Sequence, residues 1–144
     1  MKTWTAATTA EAAPEDVLDV LVDPEACRLW APVAFDVDDM HGDRLSAGSR
    51  ARISGCIAGK RVGFDVEVHE ADESRLVLSA DGPVGFDVAY ELAPVAGGSE
   101  VRASVSVKPG RGLAGRVVAH ATAALLTAGA LDTAVARVAR AAAC

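Results

Sequence analysis

Lys60-Arg61-Val62-Gly63-Phe64-Asp65-Val66-Glu67-Val68-His69 is a regular stretch in which Val62, Phe64, Val66 and Val68 alternate with Arg61, Asp65, Glu67 and His69. A two-residue period sends successive side chains to opposite faces of a β-strand, so this stretch reads as a strand with one oily and one charged face. The same period extends outward on both sides. Residues 49–57 set Ala51 and Ile53 against Arg50 and Arg52, and residues 75–80 supply Leu76 and Leu78. Residues 84–92 set Val84, Phe86, Val88, Tyr90 and Leu92 against Asp87 and Glu91, while 100–108 set Val101, Ala103, Val105 and Val107 against Arg102, Ser104 and Ser106. Between these segments stand turn formers: His41-Gly42-Asp43, Ala58-Gly59, Asp72-Glu73-Ser74, Asp81-Gly82-Pro83 and Ala96-Gly97-Gly98-Ser99. Such short connections pair neighbouring strands antiparallel, in sequence order.

The two ends read differently. Residues 3–9 alternate Trp4, Ala6 and Thr8 with Thr5, Ala7 and Thr9, which predicts a first strand. Pro14-Glu15-Asp16 places proline and two carboxylates in a first helical turn, ahead of Val17, Leu18 and Leu21 at helical spacing. Asp23-Pro24 ends that helix, and 24–30 predicts a second short one closed by Pro32. Beyond Pro109-Gly110, Leu113, Val117, Ala121, Ala124, Ala128, Leu131, Val135 and Val138 recur at three- and four-residue steps, with Arg137 and Arg140 in the last turns. This reads as one long C-terminal helix. The expected fold class is therefore α+β: a curved antiparallel sheet of about seven strands wrapped around that helix, with two short helices after the first strand.

The chain has 144 residues, 51% of them hydrophobic but only 4% aromatic, so its core is built from small pieces that leave room unless something fills it. Fourteen basic against twenty acidic residues give a net charge of −6, which argues against a nucleic-acid partner. Cys27, Cys56 and Cys144 form no CxxC pair, and Met1-Lys2-Thr3-Trp4-Thr5 has no apolar leader core; a reduced, cytoplasmic location is expected. His41, His69 and His120 share no ligand spacing, so neither a metal nor another cofactor is expected. The apolar run 117–131 would rise about 22 Å as a helix, short of a hydrocarbon core of about 30 Å. Gly110-Arg111-Gly112-Leu113-Ala114-Gly115 matches GxGxxG, yet no parallel strand or acidic residue follows as a dinucleotide site requires. Its glycines read instead as a loop and a close helix-to-sheet approach.

An oily sheet face covered by a helix whose middle, 119–130, is mostly Ala, Thr and Gly leaves space suited to an apolar guest. The residues expected to line it are Phe64, Val66, Leu78, Phe86, Val88 and Tyr90 from the strands, Val117, His120, Ala121, Ala124 and Leu125 from the helix, and Trp30. Charged strand residues fall on the other face, so a buried carboxylate pair for acid–base work is absent. Tyr90 and His120 are the candidates for a catalytic role. Each also has a plain structural reading, Tyr90 as a core aromatic and His120 as a residue at the stripe's edge. Cys56 reads as a surface thiol without an activating base.

The segment Ala13-Pro14-Glu15-Asp16-Val17-Leu18-Asp19-Val20-Leu21-Val22-Asp23-Pro24-Glu25, with Leu29-Trp30-Ala31-Pro32, resembles the opening of SRPBCC (START-like, polyketide cyclase/dehydrase, Bet v 1-like) domains. Gly85-Phe86-Asp87-Val88 through Glu100-Val101-Arg102-Ala103, then a glycine-containing, alanine-rich helix, resembles the branch of that superfamily typified by the G-type subunit of carbon monoxide dehydrogenase. The resemblance implies a helix-grip fold over 1–144 as one ligand-binding domain, with Trp30 beside the pocket mouth. It implies a carrier or accessory protein for a lipid, isoprenoid, quinone or polyketide, with a membrane surface, an oxidoreductase or a second copy of the chain as the partners open to it. The alternative it leaves is a polyketide cyclase or aromatase that works by confining and orienting its substrate.

Overall fold

The computed structural model describes residues 2–23, 35–40, 46–57, 60–110 and 112–143, and for 35–40, 57 and 60 only the backbone. Among the described residues there are seven strands: β1 (Lys2–Ala10), β2 (Phe35–Met40), β3 (Arg50–Ile57), β4 (Lys60–Ala71), β5 (Arg75–Asp81), β6 (Phe86–Val95) and β7 (Gly98–Val107). They form one curved antiparallel sheet in the order β1-β7-β6-β5-β4-β3-β2. From β2 to β7 each strand thus pairs with the next in sequence, and the first strand returns to the last. Register shifts at Val37/Asp39 and Val68/Glu70 mark bulges, which bend a strand and increase its twist.

Helix α1 (Pro14–Val22) begins with proline in its first turn and Glu15 and Asp16 beside the positive end of its dipole, as the sequence leads one to expect. The expected short helix over 24–30, and Trp30 with it, lie outside the described residues. The expected single terminal helix is divided in two: α2 (Gly112–Thr127) and α3 (Ala130–Ala142), inclined by 62°. The break falls at Gly129, whose φ of +99° belongs to the left-handed region that glycine enters without a Cβ clash.

The inner face of the sheet carries two buried clusters. One joins α1 and α3 to the sheet through Val17, Leu21, Val68, Leu76, Tyr90, Leu92, Val101, Ala103, Leu131, Val135 and Val138. The other lies under α2, where Val62, Phe64, Val66, Ala80, Val84 and Val107 meet Val118. Both draw their strand residues from the alternating oily face. Leu131, Val135 and Val138 are buried as the helical stripe predicts, but Leu113, Val117, Ala124 and Ala128 of that stripe are exposed. Within α2 the buried residues are Gly115 and Val118, because the break lets α2 turn about its axis independently of α3.

The outer face is polar. Arg52 and Asp65, paired directly across β3 and β4, lie 2.9 Å apart, and Arg75 reaches Glu70 at 3.4 Å. Arg102 also pairs with Glu100. All of these are solvent-exposed, so each contributes at most about 1 kcal/mol.

Candidate functional site

The site is built on a transverse row of the inner face. Leu78 pairs with Val88, Val88 with Val105, and Val105 with Trp4, one residue from each of β5, β6, β7 and β1. Alternation turns all four toward the helices, yet all four are only half-buried, whereas Val68 opposite Leu78 is buried and the neighbouring rows are closed except at half-buried Phe86 and the exposed edge residue Lys2. On one side stand Tyr90, Ala103 and Ala6, each under 9% exposed; on the other stand Val66, Ala80 and Val107, each at 9% or less. The half-buried row therefore runs between the two clusters, and Leu126 of α2 packs against both.

The helix break sits over this row. α3 presses on β1, β7 and α1, while α2 touches β3, β7 and α3. The Trp4 indole Nε1 donates to Thr127 Oγ1 at 3.3 Å, bridging the edge strand to the last residue of α2. At the other end of α2 a Cβ on Gly115 would lie 2.5 Å from the Pro83 carbonyl oxygen, and one on Gly110 would lie 2.0 Å from that of Gly115. Only glycine permits this contact of the helix start with the β5–β6 connection, which is the close-approach reading of the GxGxxG stretch. α2 is thus held at its two ends and packed lightly between them.

The structure brings together some of the expected lining residues and separates others. Phe64 and Val66 are buried beneath α2, and Phe64 packs against half-buried Phe86 with ring centroids 5.3 Å apart. Leu78 and Val88 belong to the open row. Tyr90 is 3% exposed and lies in the α1–α3 cluster rather than along that row. Ala121 is half-buried against the cluster under α2. Val117, His120, Ala124 and Leu125 are exposed on α2 and belong to no buried cluster, a correction that follows from the rotation of α2 after the break. Sequence reasoning missed Trp4, Val105 and Leu126. Trp4 and Val105 were legible as inner-facing by alternation, but their adjacency depends on β1 pairing with β7.

Chemically the row is apolar. Its one polar function is the Trp4 N–H, and the buried side chains beside it are aliphatic or aromatic, with exposed Lys2 at the edge. Among the described residues no group of three or more His, Cys, Asp or Glu side chains is placed to hold a metal ion. A groove of about 450 Å³ on the outer face is lined by Arg50, Arg52, Asp65, Glu67, Ser79 and Asp81, whose charges face one another rather than an apolar guest. The Asp72 carboxyl titrates below its ordinary value. Hydrogen bonds from Ser74 Oγ, Ser74 N and Arg75 N hold its carboxyl below the usual carboxylate range in the β4–β5 turn, away from the row.

Comparison with known proteins agrees with this architecture. Residues 1–143 match the family described as polyketide cyclase / dehydrase and lipid transport, a branch of the SRPBCC superfamily. No curated protein matches the chain. Among solved structures, TTHA0849 from Thermus thermophilus superposes with a TM-score of 0.73 at 18% identity, over 98% of this chain and 97% of its own. CV1439 from Chromobacterium violaceum gives 0.72 at 16%, over 99% and 97%. DynU16, from the dynemicin biosynthetic locus, gives 0.62 at 22%, over 97% of this chain and 46% of its own length. At these identities the superpositions speak for the fold alone. The finer likeness to the carbon monoxide dehydrogenase branch gains no support from the family match. With its helix-grip fold and a match along nearly its whole length, the chain belongs to the polyketide cyclase / dehydrase and lipid transport family.

Proposed function

We propose that the protein holds a hydrophobic small molecule, of lipid, isoprenoid, quinone or polyketide type, between α2 and the row Trp4–Val105–Val88–Leu78, as a carrier or accessory protein. The supporting observation is that this row stays half-buried between two closed clusters, under a helix that buries little of itself. Apolar surface left accessible on a face that otherwise excludes water is where an apolar guest gains most by binding. The family description covers both lipid transport and cyclisation or dehydration. The row itself carries no charged side chain, and the one beside it, Lys2 opposite Val107, is exposed at the sheet edge, which favours carriage over acid–base chemistry.

Titration with the fluorescent probe N-phenyl-1-naphthylamine tests the reading. Wild-type protein should bind it with saturable enhancement, and Val88→Trp should abolish binding while leaving the melting temperature nearly unchanged, because the indole enters open space. A Val88→Trp protein destabilised by about 1–3 kcal/mol, as overpacking of a solid core costs, would overturn the reading. Under the second reading, a cyclase acting on a molecule held in the same place, Tyr90→Phe would cut turnover strongly; under the first it leaves affinity within a few-fold.

A further inference from the structure

We infer that α2 is also a docking surface, and that its occupant is an anionic lipid bilayer. Among the described residues, three of the four large hydrophobic side chains left exposed lie on this one helix: Leu113 at 82%, Val117 at 41% and Leu125 at 42%. Leu113 and Val117 are one turn apart, so they form a continuous outward stripe that Ala124 extends. Charge decides the occupant. Gly112–Thr127 contains no Asp or Glu, although the chain carries twenty, and its ionisable side chains are exposed Arg116 and His120. Lys108 stands just before the helix, exposed, but its Nζ lies 3.7 Å from Asp87 Oδ2, so the basic character of this face rests on Arg116. An acidic protein of net charge −6 thus presents one apolar, locally basic helix, which is the composition that lies in the headgroup region of an anionic membrane. The inference goes beyond ligand holding and stands apart from it, since it concerns the outward face of α2 in the ligand-free protein.

Vesicle sedimentation with the full chain decides it. Vesicles of equimolar phosphatidylglycerol and phosphatidylcholine should pull the protein down, and pure phosphatidylcholine vesicles should not. Salt at about 1 M, where screening shortens to about 3 Å, should weaken the association. The double variant Leu113→Ser/Val117→Ser should reduce binding roughly tenfold, while Val95→Ser, an exposed apolar residue on the β6–β7 hairpin, should leave it unchanged. Circular dichroism and the melting temperature of each variant confirm that it is folded; both substituted α2 positions are exposed, and Arg116→Glu provides an independent variant with the same expected loss. Failure of anionic vesicles to bind, or binding indifferent to these α2 variants, overturns the inference. So does a wild-type dimer in sedimentation velocity that the double variant converts to monomer, which would assign the stripe to a second copy of the chain.

Discussion

Leu78 and Phe64 illustrate what a residue's own position does and does not decide. Both face inward because they occupy the same parity of their strands, yet Phe64 is closed off under α2 and Leu78 stays half-buried two rows away. The difference comes from what lies above them. Asp72 shows local chemistry that needs no such roof: its carboxylate accepts two hydrogen bonds from Ser74 and one from Arg75, so the turn is stabilised by the charged form. Since the folded carboxyl titrates below its ordinary value of about 3.9, this contribution is fully present above that pH and is lost as the pH falls through the lowered value. An NMR titration should place the Asp72 midpoint below that of an ordinary aspartate. Ser74→Ala, which removes the largest cause, should move it upward, and an unmoved midpoint would contradict the assignment.

At the scale of elements, the decisive feature is the interruption of the terminal helix. Ala-rich sequence tolerates several rotations about the helix axis because alanine fits either side, so the stripe from Leu113 to Ala128 specifies the facing of α2 weakly. Leu131, Val135 and Val138, being larger, specify that of α3, and they are buried as expected. Gly129 lets the two differ. An added Cβ there would find room, its nearest neighbour being Asp132 Oδ2 at 3.9 Å, so the cost of substitution is conformational rather than steric. Gly129→Ala should therefore destabilise the protein by about 1–2 kcal/mol, and Gly129→Asn by less, as read from urea midpoints. Equal midpoints for all three proteins would mean that the left-handed turn is not retained. The missing partner in the sequence reading was Trp4: its strand was legible, but its hydrogen bond to Thr127, 123 residues away, belongs to no local pattern.

For the whole molecule, two clusters with an unclosed row between them make stability and ligand binding one linked quantity. A guest that binds the folded state alone adds stability as the logarithm of one plus the ratio of its free concentration to its Kd, about 2.7 kcal/mol at a concentration one hundred times its Kd. The N-phenyl-1-naphthylamine complex should accordingly melt several degrees above the free protein, with the increment absent in Val88→Trp. A shift of equal size in both would place the probe elsewhere. Membrane insertion of the terminal segment as a rod is not what this arrangement offers. Among the described residues no single helix is long and apolar enough to cross a bilayer, and the α2–α3 pair, which together has the length and composition, is bent by 62°.

Taken alone, the sequence determined the order of strands, the parity that sorts oily from charged side chains, the proline-led start of α1 and the buried stripe of α3. Each of these rests on periods and turn residues within a few positions of one another, where backbone geometry leaves few choices. The tertiary structure decided the direction of α2, the closure of β1 on β7, and which inner row stays open between the clusters. Those depend on contacts between residues as far apart as Trp4 and Val105, and on a helix of alanines whose facing is set by how its two ends are held rather than by its own side chains.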